Sequence, residues 1–171
     1  MSQFLRPDGD GSQSGDWEPE PSDTTLWNVI DEAEANDADY AWHDACAGFE
    51  YFYVTLSNCT PPGPGTGTIR WRQKRIDGGK VTTIDAAIFE GEYPRFTSDE
   101  KTLTDDWVEE TYAVTQVQMD SISDWNNISL RFLVRVSGGG KAPDPAISWA
   151  EFEVPDAAAP SAWTPKIIGP F

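Results

Sequence analysis

Apolar and polar positions alternate with a period of two along much of this chain. Residues 68–76 show it most cleanly, with Ile69 and Trp71 on one side and Arg70, Arg72 and Lys74 on the other. That spacing predicts a strand with one buried face. Residues 128–136 repeat it: Leu130, Phe132, Val134 and Val136 face a core, while Arg131 and Arg135 face out. Residues 49–57 alternate Phe49, Tyr51 and Tyr53 with Phe52, Val54 and Leu56, apolar on both faces, so this strand is predicted to be central. Residues 147–155 carry Ile147 and Trp149 on one face and Ala150, Phe152 and Val154 on the other, and the first face turns acidic at Glu151 and Glu153. Pro155 has no N–H to give a ladder and predicts the end of that strand.

Weaker signals fill the gaps. Asp77-Gly-Gly79 reads as a tight turn, which makes 80–90 the hairpin partner of 68–76. Residues 93–97 read as a short edge strand interrupted by Pro94, and 107–114 as a further strand. Val117, Met119 and Ile122 fit one or two helical turns within 116–124. Residues 26–30 read as a short strand or helical turn before an acidic loop, and Tyr40 and Trp42 restart an extended segment. Seven or eight strands joined by Gly/Pro turns predict an all-β fold, an antiparallel jelly-roll-like β-sandwich, with a closed barrel as the alternative. No repeat of blade size is evident. The organisation expected is an extended N-terminal leader over 1–23, a sandwich over 24–155, and a C-terminal arm over 156–171. Prolines at 155, 160, 165 and 170 keep that arm extended. Its apolar side chains Trp163, Ile167, Ile168 and Phe171 suit docking on its own domain or on another subunit.

Composition supports strands and turns. Among 171 residues there are eight Trp, eight Phe, five Tyr and twenty-seven Gly plus Pro. A domain of this size buries roughly 70% of its unfolded surface and needs no metal or disulfide for a core. The net charge of −17 is uneven: residues 1–67 hold thirteen carboxylates against the one cation Arg6. Such a balance argues against nucleic acid and against an anionic membrane surface as partners. Residues 1–15 lack the apolar core of a secretion signal, and no apolar run reaches the length of a membrane span, so a cytoplasmic origin is expected. Cys46 and Cys59 flank the strand 49–57. A straight strand of that length would hold them roughly 30 Å apart, so two free thiols are expected rather than a disulfide.

Candidate chemistry is sparse. His43 is the single histidine and has no nucleophile-elbow motif around it. Asp8-Gly-Asp10-Gly begins like a calcium loop but fails at Ser12 and Pro19. Asp37 and Asp39 read as a solvated acidic turn. Gly138-Gly-Gly140-Lys141 lacks phosphate-loop spacing. A carboxylate pair for glycoside hydrolysis carries little weight where acids are this numerous. Asn58-Cys-Thr60 and Asn127-Ile-Ser129 match the glycosylation pattern, which is too short to count without a secretion signal. The reading is therefore of a non-enzymatic protein without cofactor or metal.

Two constellations remain. Arg70, Arg72, Lys74, Arg75 and Lys80 form a cationic cluster. Cross-strand pairing with outward carboxylates is the favoured reading, and a patch that docks an acidic face of another copy is the functional one. The second is the surplus of Trp beside loops, at positions 17, 27, 42, 107, 125 and 163. Core or interface use is favoured, and sugar stacking is the alternative.

Four stretches carry a resemblance: Leu5-Arg-Pro-Asp-Gly-Asp10 with Gly15-Asp-Trp17, Leu26-Trp-Asn-Val-Ile-Asp-Glu32, Asp37-Ala-Asp-Tyr40, and Ile147-Ser-Trp-Ala-Glu-Phe-Glu-Val-Pro155. Together they resemble small β-sandwich structural proteins of tailed bacteriophages. The resemblance implies a virion component, most plausibly a capsid decoration (cement) protein, otherwise a tail or fibre part. Its partner would be the major capsid protein or another virion protein. It would act as a homo-oligomer, with a trimer favoured, after assembly in the host cytoplasm. It supplies no catalytic residues, and the tail after Pro155 lies outside it. Interface anchors expected on this reading are Phe4, Leu5, Trp17, Arg70, Arg72, Lys74, Trp163, Ile167, Ile168 and Phe171. The alternative is a glycan-binding module of a phage tail or receptor-binding fibre, using exposed loop Trp and Asp.

Overall fold

The computed structural model describes residues 1–22 and 24–157. Twelve strands occur among them: β1 (Ser2–Leu5), β2 (Pro7–Gln13), β3 (Trp17–Glu20), β4 (Tyr40–His43), β5 (Phe49–Leu56), β6 (Gly67–Arg75), β7 (Val81–Glu90), β8 (Tyr93–Thr97), β9 (Lys101–Thr102), β10 (Val108–Val114), β11 (Ile128–Ser137) and β12 (Pro145–Pro155). Helix is confined to a 3-10 turn at Trp27–Val29 and α1 (Gln116–Met119), the latter closed by a Thr115/Gln118 capping box.

The strands form two antiparallel sheets packed face to face, a jelly-roll-like β-sandwich. The first sheet runs β10-β6-β12-β4-β3, with β1 also on β12; the second runs β2-β5-β11-β7-β8, with β9 also on β7. Each sheet ends in edge strands, so the barrel alternative does not apply. β5 is central as its pattern requires, between β2 and β11. An aromatic path joins the two sheets through the core. Trp17 on β3 meets Phe52 on β5 at 4.5 Å, Phe52 meets Phe132 on β11 at 5.4 Å, and Phe132 meets Trp71 on β6 at 6.4 Å. The buried Trp71 Nε1–H donates to Gln73 Oε1 at 2.8 Å, which satisfies the indole.

Four expectations change. First, β6 and β7 are not a hairpin; they lie in different sheets. The turn between them spends its backbone groups on residues 141–144 instead: Ile76 N–H donates to Asp144 O, Gly79 N–H to Lys141 O, and Asp77 O accepts from Asp144 N–H. Gly78, at φ 104°, packs so closely there that a Cβ would meet the Pro143 Cα at 2.4 Å. Its need for glycine is a packing need as well as a turn need. Second, within the expected leader, the described residues 1–22 form three strands of the sandwich. Strand β1 lengthens the edge of β12 that β4 leaves open, pairing Ser2 with Pro155 and Leu5 with Phe152; β2 covers β5 and β3 covers β4. Third, Leu5 and Trp17 are 1% and 3% exposed and belong to the core, so neither can anchor an interface. Fourth, β12 carries a bulge between Ile147 and Trp149. Ile147 sits opposite the inward Gln73, while Trp149 sits opposite the outward Arg72. The extra residue, Ser148, moves Ile147 to the core side with Ala150, Phe152 and Val154.

The cationic cluster is paired within the molecule. Arg70 reaches Glu151 at 3.0 Å and Glu153 at 2.6 Å; Arg72 reaches Asp37 at 2.6 Å; Arg75 reaches Asp105 at 2.6 Å. Lys74 lies 5.7 Å over the Trp107 ring. Glu151 is buried and also takes Arg6 at 3.2 Å, so one carboxylate ties the N-terminal crossing to β6. Removing a buried charge strands its partners, and here Arg6 would lose its carboxylate and Arg70 one of its two. Glu151→Gln is expected to lower unfolding free energy by about 1–2 kcal/mol in urea titration. A change no larger than that of the peripheral Asp37→Asn would contradict this role.

Candidate binding groove on the second sheet

On β5, β7 and β11 the odd-numbered residues face away from the core. The outer face of the second sheet therefore collects Tyr51, Tyr53 and Thr55 from β5, Ser129, Arg131 and Leu133 from β11, and Asp85, Ala87 and Phe89 from β7. The register places Tyr53 opposite Arg131 and Thr55 opposite Ser129, with Ser129 opposite Phe89 in turn. Ser129 is small, so Tyr53 and Phe89 approach above it, edge to face at 5.0 Å. Tyr51 and Tyr53 meet in the same way at 5.5 Å. Arg131 covers Phe89 at 5.1 Å while pairing with Asp85 at 3.2 Å, and Arg135 binds the same carboxylate. These contacts hold both arginines down against the sheet.

An open groove of about 570 Å³ lies along this face. Tyr51, Tyr53 and Phe89 supply its aromatic surface. Asp8, Ser12, Asn58, Glu92, Asn126 and Asn127 supply polar groups around it. Glycine keeps it open on the β2 side. A Cβ on Gly9 would lie 2.6 Å from Thr55 Oγ1, and one on Gly11 2.7 Å from the Tyr53 Cβ. The Asp-Gly-Asp-Gly stretch is thus a strand whose glycines allow close approach to β5. Asp8 accepts from Thr55 Oγ1 at 2.8 Å, and Asp10 accepts from Trp27 N–H at 2.8 Å. Asn58 and Asn127, the two glycosylation-pattern asparagines, both line the groove.

The far wall is positioned by Glu90. Its buried carboxylate accepts from Ser123 Oγ, from Ser123 N–H at 3.0 Å and from Asp124 N–H at 2.9 Å, with Arg95 at 2.7 Å. These donors, Ser123 foremost, hold its carboxyl down to about 2. The loop so fixed carries Asn126 and Asn127 into the groove.

Other titratable groups lie elsewhere. His43 Nε2 accepts from Asp16 N–H at 3.1 Å, which leaves Nδ1–H to donate to Asp44 O at 2.9 Å. Both ring nitrogens are occupied by local structure. Cys46 and Cys59 are free thiols, each pushed up to about 11 by burial, which suits neither to nucleophilic work. Glu32 is raised to about 7 by burial and by neighbouring Asp39. Neither the groove nor a smaller 240 Å³ cleft beside Pro61, Pro62 and Trp125 reaches it.

The residues expected as interface anchors are not brought together. Phe4 is 46% exposed, with Arg6 over its ring at 5.6 Å. Leu5 and Trp17 are in the core, and Arg70, Arg72 and Lys74 are engaged on the first sheet. Trp163, Ile167, Ile168 and Phe171 lie outside the described residues. The described loop tryptophans follow the core use favoured from the sequence rather than the sugar-stacking alternative. Trp17, Trp71, Trp125 and Trp149 are buried, while Trp27, Trp42 and Trp107 are half-buried. Among the described residues, no tryptophan lines the groove. The signal for the true aromatic face was the outward Tyr51 and Tyr53 of a strand apolar on both sides.

Since Glu90 is held below its ordinary 4.5, its contribution is present above that value and is lost as pH falls towards 2. Protection of the Ser123 and Asp124 amides from hydrogen exchange, relative to their intrinsic rates, is expected to fall across this window, and at pH 7 in Glu90→Gln. Exchange that is unchanged in the variant would show that the loop is held by something else.

No protein-family model matches the chain, and no curated protein matches it. Among solved structures, an apo cyclase from Fischerella sp. is similar at 10% identity and TM-score 0.48, over 92% of this chain and 98% of that one. TmCBM61 in complex with β-1,4-galactotriose is similar at 12% identity and TM-score 0.42, over 80% and 86%. A carbohydrate-binding module from Cellvibrio mixtus lichenase 5A in complex with cellotriose is similar at 16% identity and TM-score 0.41, over 88% and 95%. Likenesses this distant assign neither a ligand nor a reaction to this chain.

Proposed function

We propose that this protein is a non-catalytic glycan-binding β-sandwich and that its ligand lies along the outer face of the second sheet. The observation that carries the reading is the row Tyr51, Tyr53 and Phe89 along an open groove bordered by amides, hydroxyls and carboxylates. Sugar rings present C–H faces that pack on aromatic rings and hydroxyls that need paired donors and acceptors. A groove with both suits an oligosaccharide better than a purely apolar ligand. Its walls belong to strands and to a loop pinned by Glu90, so little ordering is needed on binding. On this reading the resemblance to phage structural proteins points to a tail or receptor-binding fibre module. A glycan array would identify a ligand, and calorimetry would then measure it. Tyr53→Ala is expected to weaken binding about tenfold or more, as loss of one stacked ring would. An array without a saturable hit, or a Tyr53→Ala variant that binds like the parent, would overturn the reading.

A second reading, capsid decoration as a homo-oligomer on the head lattice, draws on Phe4, which is exposed on β1 beside β12. Its test needs a corrected boundary. Asp156 N–H still donates to Met1 O, and Asp156 O accepts from Gly63 N–H, so the described fold extends past Pro155. A chain ended after Ala157 is expected to melt like the full chain, and one ended after Val154 to melt lower. If the 157-residue form still decorates particles at full occupancy, the terminal segment is not the staple that the decoration reading requires.

A further inference from the structure

We infer that the groove selects its glycan by charge: it takes oligosaccharides bearing protonated amino groups best, neutral ones next, and acidic ones worst. This rests on the glycan-binding reading above and concerns the same site. Among the described residues that line the groove, two, Asp8 and Glu92, carry carboxylates and none carries a cation. Both are exposed to solvent. Asp8 is engaged through Oδ1 by Thr55, a neutral donor that leaves its charge in place.

The cations near this face do not offset them. Arg131 lies against Phe89 and is paired with Asp85; Arg135 is bound to Asp85 and sits 3.4 Å from Glu100. Arg95 is committed to Glu90. Each is paired with a carboxylate, and none lines the groove. The surrounding field has the same sign, since the chain carries −17 overall. A uronate, sialate or sulfate entering here would meet two like charges without a partner. A glucosamine ammonium would meet two opposite ones. Exposed charge pairs are worth about 0.2–1 kcal/mol each, so the contrast amounts to roughly 1.4- to fivefold per carboxylate. Being exposed, it should shrink as salt rises.

The experiment is calorimetry of the full chain against three tetrasaccharides of matched length: glucosamine, a neutral hexose and galacturonate. Each is measured in low and high salt, for the parent and for Asp8→Asn/Glu92→Gln. The expected result is the affinity order amine, neutral, acid, with about tenfold or more between the extremes. High salt compresses that spread, and the double variant collapses it. Galacturonate binding as well as the neutral sugar, or a spread that survives in the double variant, would overturn the charge assignment while leaving glycan binding intact. If none of the three binds, and the array is also empty, both the charge assignment and the reading beneath it fail.

Discussion

The structure depends on β12 being paired along both edges. One edge belongs to β6. The other is shared end to end, first by β4 and then by β1. A strand in that position must satisfy every backbone group through neighbours, since almost all of it is buried. That demand draws the N-terminus into the sheet, because without Ser2–Leu5 the second half of β12 would be an open edge. The bulge at Ser148 is the second part of the same constraint. It puts Ile147, Ala150, Phe152 and Val154 all on the core side, and leaves Trp149 to donate its indole N–H to Glu32 O at 2.9 Å.

The two outer faces then diverge. On the first sheet the 31–39 segment is fastened down by Arg72 and Ser148 to Asp37, and by Trp149 to Glu32. Arg70, Glu151 and Glu153 occupy the remainder. That face is used up by its own ion pairs. On the second sheet the polar residues gather round Asp85, which Arg131 and Arg135 share, and the tyrosines of β5 are left beside a groove. Glycines at 9 and 11 prevent β2 from filling it. The difference between a covered face and an open one is what makes the second sheet the candidate site.

The strands were legible where one face is clearly polar, as in β6 and β11, because period-two alternation is a direct record of burial. The core side of β12 was misread at Ile147 for the same reason: a bulge changes phase without any marker in composition. The Asp77-Gly-Gly79 turn has hairpin chemistry, but its partners lie at 141–144, a long-range contact that local pattern does not carry. The N-terminal strands were hidden by glycine and aspartate, which usually signal loops. Here glycine serves close approach to Tyr53 and Thr55. The groove was half legible. Tyr51 and Tyr53 shared one face in the pattern, but nothing marked that face as the outer one, and their neighbours Phe89, Asn58, Asn126 and Glu92 are assembled by strand order alone. Tryptophan, the obvious sugar-stacking candidate, was drawn instead into the core and the covered face.

The central claim is that Tyr51, Tyr53 and Phe89 form the floor of a glycan site. Its most direct test is a titration of the isotope-labelled full chain with an array-selected oligosaccharide, followed by backbone and aromatic chemical shifts. The account predicts saturable shifts concentrated at Tyr51, Tyr53, Thr55, Phe89 and Asn127. Shifts concentrated on the first sheet around Tyr40 and Trp107, or none at all, would contradict it.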